Sequence, residues 1–355
     1  MSMTREDLLQ EFLSLKGNNF LLELPTGVGK TRIALEKLKQ KNLESGTLLI
    51  VISRLVHKET WSSEINKWWD NCPLFVEFTT YNSLAKHVGS YTAVIYDEVQ
   101  HLSPNSQTIV PAIKAQYTVM CSATIPFTLR EKLQVLFYPL TIFRKSLRSI
   151  TNEGILPTPL LYLLPLHLSL DELKEYRKID DQVSYWKKRY MSSYKQWEKN
   201  KWLQTAGTRL KWLSSHKINI AKAILIKLKD YRTITFCNTI EQTEQLGKYC
   251  IHSKNKQSKE FLKLFNDKQL DHITSCDMLN ESTNLVDCQI GLFVNLNSSE
   301  IITKQRLGRI LRHPNPVIII PYYVNTRDEQ LVQKIASNYD GSCVKIIKTI
   351  QDIKI

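Results

Sequence analysis

The chain has 355 residues, 43% of them hydrophobic and 23% charged, with a net charge of +14. That profile excludes a disordered chain, and no apolar run is long enough to span a bilayer. The most apolar stretch, ILPTPLLYLLPLHLSL (155–170), is interrupted by Pro157, Pro159 and Pro165.

The length suffices for two domains of ordinary size. The opening MSMTREDLLQ lacks the apolar core of a signal peptide, which suggests a cytoplasmic protein. Seven cysteines, an odd number with no CxxC pair, predict buried thiols and argue against a zinc ribbon or disulfide framework. The eight histidines show no metal-ligand spacing.

The first third alternates strand and helix patterns. FLLEL (20–24) is a short apolar strand, followed by the glycine loop PTGVGKT (25–31) and a helix in TRIALEKLKQK. Further strands are predicted in TLLIVIS (47–53), FVEFTTY (75–81), TAVIYDE (92–98) and YTVMCSAT (117–124), with a helix in HKETWSSEINKWW (57–69). Alternation of this kind implies a parallel sheet covered on both faces. From about 168 to 230 the pattern is nearly continuous helix. A second alternating series runs through RTITFCN (232–238), CQIGLFVNL (288–296) and PVIIIPYYV (316–324).

A strand, a glycine loop and a helix form the context of a phosphate-binding loop. Gly27 and Gly29 would let backbone N–H groups, with Thr26 and Val28 between and beside them, face an anion. Lys30 would place an ammonium on the β- and γ-phosphates, and Thr31 a hydroxyl on Mg²⁺. The strict pattern has a glycine at position 24, where this chain has Leu24, so an ordinary strand–helix turn stays open. TAVIYDEVQH then supplies acids at a strand end, expected beside the glycine loop. Asp97 would hold the metal and Glu98 would orient and deprotonate water. A helix-start acidic pair is the plain alternative.

The middle eighty residues, 151–230, carry 15 basic and 8 acidic groups, half of the whole excess. A basic excess suggests a polyanion, usually nucleic acid, although lysines are often merely solvated. Within YWKKRYMSSYKQWEKNKWLQ (185–204), Trp186, Tyr190, Tyr194 and Trp197 are spaced to share one helix face. Lys187, Lys188, Arg189, Lys195, Lys199 and Lys201 surround them. The stripe reads either as a stacking and phosphate-binding wedge or as helix-packing core.

Taken together, the motifs resemble those of superfamily 2 helicases and translocases of the DExH-like branch. PTGVGKT resembles motif I, LLIVISRLVHKETW (48–61) motif Ia, TTYNSLAK (79–86) motif Ib, DEVQH (97–101) motif II and SAT (122–124) motif III. TITFCNTIEQTEQL (233–246) resembles motif IV, SCDMLNESTNLVD (275–287) motif V and QRLGRILR (305–312) motif VI. The compactness and the WxxE-type helix after motif Ia look most like UvsW-type phage helicases and Swi/Snf- or XPB-type DNA translocases.

The resemblance implies an α/β fold of two RecA-like parallel-sheet domains in tandem, 1–149 and 220–355, with a basic helical insertion at 150–219 between them. It implies ATP and Mg²⁺ in an interdomain cleft, with Arg309 and Arg312 on the γ-phosphate and Gln305 a polar contact. Ser122 and Thr124 would couple hydrolysis to movement, with Gln100 in the usual histidine position of motif II. Arg54, Thr80 and Asn238 would touch a nucleic-acid strand, DNA favoured over RNA. Motif V has Ser282 where a glycine is usual, and Gln10 is the candidate adenine reader. The expected activity is an ATP-dependent helicase or translocase, a monomer or weak oligomer with no membrane partner. The alternatives are a nucleic-acid clamp or annealing module with little unwinding, and a small-molecule kinase, which would lack the second half.

Overall fold

The computed structural model describes residues 3–276, 285–296 and 300–355. It divides into two compact units, Met1–Leu156 and Pro157–Ile355.

The first unit runs α1 (Arg5–Leu13), β1 (Asn19–Glu23), α2 (Lys30–Lys39), β2 (Thr47–Ile52), α3 (His57–Trp68), β3 (Phe75–Thr80) and β4 (Gly89–Asp97). It continues with α4 (Pro104–Ile109), β5 (Ile113–Ser122), α5 (Phe127–Leu136), β6 (Leu140–Arg144) and α6 (Leu147–Asn152). Among the described residues six parallel strands lie in the order β3-β2-β4-β5-β1-β6. Helices cover such a sheet on both faces, which is why β2 reads as an unbroken apolar run, with Leu48 to Ile52 all buried. Local signals fix the helix starts. Thr4 and Asp7 form a capping box on α1, and Ser103 caps α4, whose first residue is Pro104.

The second unit runs β7 (Leu160–Leu166), α7 (Leu170–Ser193), α8 (Gln196–His216), α9 (Ile218–Lys227), β8 (Thr233–Cys237), α10 (Ile240–Leu246) and β9 (Cys250–Ile251). Then follow α11 (Ser258–Asn266), β10 (His272–Cys276), β11 (Ile290–Phe293), α12 (Glu300–Ile310), β12 (Val317–Tyr323), α13 (Arg327–Ala336) and β13 (Val344–Ile346). Seven parallel strands are described here, in the order β13-β7-β12-β11-β8-β10-β9.

The expected 150–219 segment is not one helical insertion. Its first residues close α6 in the first unit, and 160–166 form a strand inside the second sheet. The prolines of ILPTPLLYLLPLHLSL hid that strand. Pro165 is tolerated because β13 pairs only with Leu161, Tyr162 and Leu163, so no ladder bond is required of position 165 on that side. Helix does dominate from 170 onward. α7 and α8 pack as a long antiparallel hairpin whose foot sits on the second unit. There Tyr176, Leu213 and Tyr323 form a buried cluster, and the Tyr323 hydroxyl donates to the His216 carbonyl at 2.8 Å.

Candidate nucleotide site and nucleic-acid surface

The glycine loop joins β1 to α2. Gly27 and Gly29 have φ of 93° and 101°, a region that a side chain resists. Gly29 stands at the N-cap of α2 with no side chain capping the helix, so the first N–H groups of α2 have no side-chain acceptor there. A Cβ added at Gly29 would point into open space. Val28 is buried and anchors the loop, while Lys30 donates from Nζ to the Leu24 carbonyl at 3.2 Å. The Thr26 Oγ1 is buried with no hydrogen-bond partner among the described residues. Thr31 lies in the first turn of α2. Open space over a glycine, an uncapped helix start and an orphan hydroxyl fit a polyphosphate with its metal. The base of the loop is braced: Glu23 is buried and accepts from Arg130 at 2.8 and 3.0 Å.

Asp97 and Glu98 leave the C-terminal end of β4, at the same sheet edge as the glycine loop. β5 stands between β4 and β1, and its buried Cys121 thiol, pushed up first by burial and then by the Asp97 carboxylate, also feels the opposing charge of Lys30. The end of β5, Ser122, fills the gap between the two loops. Its hydroxyl donates to Gln100 Oε1, and Gln100 donates from Nε2 to Glu98 Oε2 at 2.7 Å. The Thr124 N–H donates back to Ser122 Oγ at 3.2 Å. Glu98, Gln100, Ser122 and Thr124 therefore form one connected network at the sheet's C-terminal edge. Glu98 has φ 52° and ψ 56°, a left-handed conformation that costs a non-glycine residue about 1 kcal/mol or more and clusters at functional sites.

Two residues missed by sequence reasoning hold Asp97. Trp61 donates its indole N–H to Asp97 Oδ2 at 2.9 Å, and the Tyr81 hydroxyl donates to the Asp97 carbonyl at 2.7 Å. Burial, reinforced by the nearby Asp97 carboxylate, pushes the Tyr81 phenol well above its usual range, so it stays a neutral donor. The signal for Trp61 is the buried stripe His57, Trp61, Ile65 on α3.

In the second unit, α12 carries the basic motif. Arg306 is buried beside Phe236, 5.4 Å from its ring, and donates to the Cys237 carbonyl at 3.4 Å. Arg309 is buried near the end of the same helix, and Arg312, just past it, is exposed. Gln305 falls within α12, but its side chain lies outside the described residues, as does Ser282. Gln10 is on α1 and bonds to Glu6 at 3.2 Å.

Of the expected strand contacts, Arg54 is exposed before α3, and Thr80 bonds to Ser83 at 3.3 Å. Asn238 follows β8 with its Oδ1 buried and without a hydrogen-bond partner among the described residues. In the hairpin, Tyr194 adopts φ 53° and ends α7, so the four aromatics are not on one helix face. Trp186 and Tyr190 are on α7 and Trp197 is on α8. They meet across the hairpin, with the Trp186 and Trp197 rings 5.8 Å apart. Arg189 is paired with the buried Glu198 at 2.8 Å and lies over both tryptophans, so it holds the hairpin together. Lys187 and Lys188 are exposed, as are Tyr194 and Trp197.

The Helicase conserved C-terminal domain family matches residues 216–314. DNA 3'-5' translocase XPB2 of Sulfurisphaera tokodaii is 24% identical, over 84% of this chain and 76% of that protein. The fold is shared with the Pyrococcus furiosus Hef helicase domain, TM-score 0.59 at 13% identity, over 93% of this chain and 97% of that one. It is also shared with S. cerevisiae Dbp5 bound to RNA and ADP BeF3, TM-score 0.64 at 11% identity, over 98% and 89%. Two parallel sheets in tandem, the helicase C-terminal match over 216–314 and the similarity to XPB2 along most of the chain support a relationship to the superfamily 2 helicases and translocases.

Proposed function

We propose that the protein is a nucleic-acid-dependent ATPase that translocates on, unwinds or remodels nucleic acid, with DNA favoured over RNA. The observation that carries this is the network Glu98–Gln100–Ser122, set at the strand ends beyond a glycine loop shaped for phosphates. Thr26 to Lys30 bind the phosphates, and Thr31 with Asp97 would hold Mg²⁺, which supplies charge neutralisation on the phosphate oxygens. Glu98 orients a water and accepts its proton. Gln100 fixes the carboxylate and hands its state to Ser122 and Thr124. We assign Arg309 and Arg312 the role of neutralising charge on the transferred phosphoryl group, and Gln305 a polar contact to it. A correctly placed arginine can be worth ~10³–10⁵ in rate.

The XPB2 relative supports the DNA reading. Arg54, Thr80 and Asn238 contact the strand backbone, which positions without reading sequence. Trp186 with Lys187 and Lys188 extends that surface onto the hairpin, whose tip Arg189 organises through Glu198. A second reading, a clamp that anneals or remodels with little unwinding, is favoured by the exposed aromatics at the hairpin tip.

The test is ATP turnover with single-stranded DNA, duplex, forked DNA and RNA. Stimulation of about tenfold or more by DNA is expected. Glu98→Gln should lower turnover by about 10² or more while nucleotide binding persists. Unchanged turnover in that variant removes Glu98 from its role. A strand-displacement assay beside a branch-migration assay separates the two readings.

A further inference from the structure

Asp97 is held from two directions by segments that resemble motifs Ia and Ib. Trp61 is 2% exposed and Tyr81 4% exposed, so both donors reach the half-buried Asp97 from the protein interior. An indole carries one hydrogen-bond donor and no acceptor. Directing it at a carboxylate gives a charge-assisted bond that fixes the rotamer and plane of the acid. Packing alone does not require this: a phenylalanine would fill most of the space under α3. Trp61 also sits on the helix that starts three residues after Arg54, and Tyr81 directly follows Thr80. Both donors are thus tied, through one short stretch of chain each, to a residue assigned to the nucleic-acid strand.

We propose that Trp61, assisted by Tyr81, is a positioning residue that holds Asp97 in its metal-binding orientation and links that orientation to the strand-contacting segments around Arg54 and Thr80. This rests on the reading of the protein as a Mg²⁺-dependent nucleotide hydrolase. Trp61 touches neither nucleotide nor metal in this account. It acts through Asp97, and loss of its N–H lets the carboxylate turn away. Metal affinity then falls while nucleotide affinity without metal is kept.

The experiment is a Mg²⁺ titration of the binding of a fluorescent ATP analogue to the full chain, with and without a single-stranded DNA oligonucleotide. Trp61→Phe should raise the Mg²⁺ midpoint about tenfold, the order expected for a lost hydrogen bond to a charged group. Binding in EDTA should stay within about twofold of the parent, which a merely loosened loop would not preserve. The oligonucleotide should shift the parent's midpoint and leave that of Trp61→Phe nearly unmoved. Asp97→Asn in the same assay reports on the underlying reading. If Asp97→Asn shifts the midpoint and Trp61→Phe does not, Trp61 only packs and the proposal is overturned. If Asp97→Asn itself shifts nothing, the metal assignment falls and the proposal falls with it. Should Trp61→Phe fail to fold, Tyr81→Phe removes a single oxygen and should raise the midpoint severalfold; an unchanged midpoint there also overturns the proposal.

Discussion

The Gln100 side-chain amide donates to the Glu98 carboxylate at 2.7 Å, and its other end accepts the Ser122 hydroxyl. A glutamine carries both donor and acceptor, so it can pair with a carboxylate and a hydroxyl at once. The residue therefore sits in series between the proposed base and the strand end that adjoins β1.

Gln100→Ala should lower kcat for ATP about 10- to 100-fold, with KM for ATP changed less than about threefold. Such a split marks an interaction made in the transition state and not in ground-state binding. Gln100→His keeps a donor and an acceptor on one ring and should retain most of the rate. Steady-state kinetics with saturating DNA measure both. Equal losses in the two variants would argue that only the shape of the side chain matters.

Much of this site is legible from residues alone. Gly27, Gly29, Lys30, Asp97 and Glu98 are placed by short-range pattern: a strand, a turn that needs positive φ, and a helix start. The Trp61–Asp97 bond spans 36 positions: the stripe His57, Trp61, Ile65 marks the buried face of α3 but not which sheet residue it meets. β6 and β7 escaped because LTIFR is only five residues and the second strand is laced with prolines. The break at Tyr194 lacks the glycine or proline that marks most helix ends, so the aromatic spacing ran on falsely through it. The position of β5 between β1 and β4 is a matter of strand order, which spacing along a chain does not encode.

Lys217 and Asp328 form an ion pair with side chains 1% and 3% exposed, and Lys217 also donates to the Val294 carbonyl at 3.0 Å. The pair pins the foot of the α7–α8 hairpin to α13. Removing one partner strands a buried charge, so Lys217→Met should cost about 3–5 kcal/mol. Replacing both, Lys217→Met with Asp328→Leu, should recover much of that loss. Urea unfolding at pH 7 measures the difference. Equal destabilisation by the single and double variants would show that packing at the foot, not charge, is responsible.

Acid should unfold the second unit partly through His272. Burial pushes its imidazole from 6.5 down to about 4, and Thr235 Oγ1 lies 2.9 Å from Nε2. The unfolded chain takes up a proton near pH 6.5 that the folded chain refuses until about pH 4. Stability from this group is therefore complete above pH 6.5 and is lost progressively as the pH falls toward 4, by at most about 3 kcal/mol. His272→Asn has no titrating ring and should flatten the dependence of unfolding free energy on pH between about 6.5 and 4. Parallel slopes for the two proteins would dismiss the histidine as the cause.

The hairpin makes the last expectation quantitative. Arg189 is engaged with Glu198 and three aromatic rings, so its charge mainly organises the tip. Lys187 and Lys188 are exposed on the same turn of α7 and, with the exposed Lys195 and Lys201, are charges able to meet phosphates. Each lysine that neutralises a phosphate adds about 0.7–0.9 to the slope of log affinity against log salt. Lys187→Ala with Lys188→Ala should thus reduce that slope by up to about 1.8 for duplex DNA and weaken binding equally across sequences. Basal ATP turnover without DNA should not change, since neither residue is part of the nucleotide site. Arg189→Ala should behave differently: the tip loses its internal clamp, thermal unfolding of the helices broadens, and the salt slope changes little. A slope unaltered by the double lysine variant would remove Lys187 and Lys188 from the strand-contacting surface.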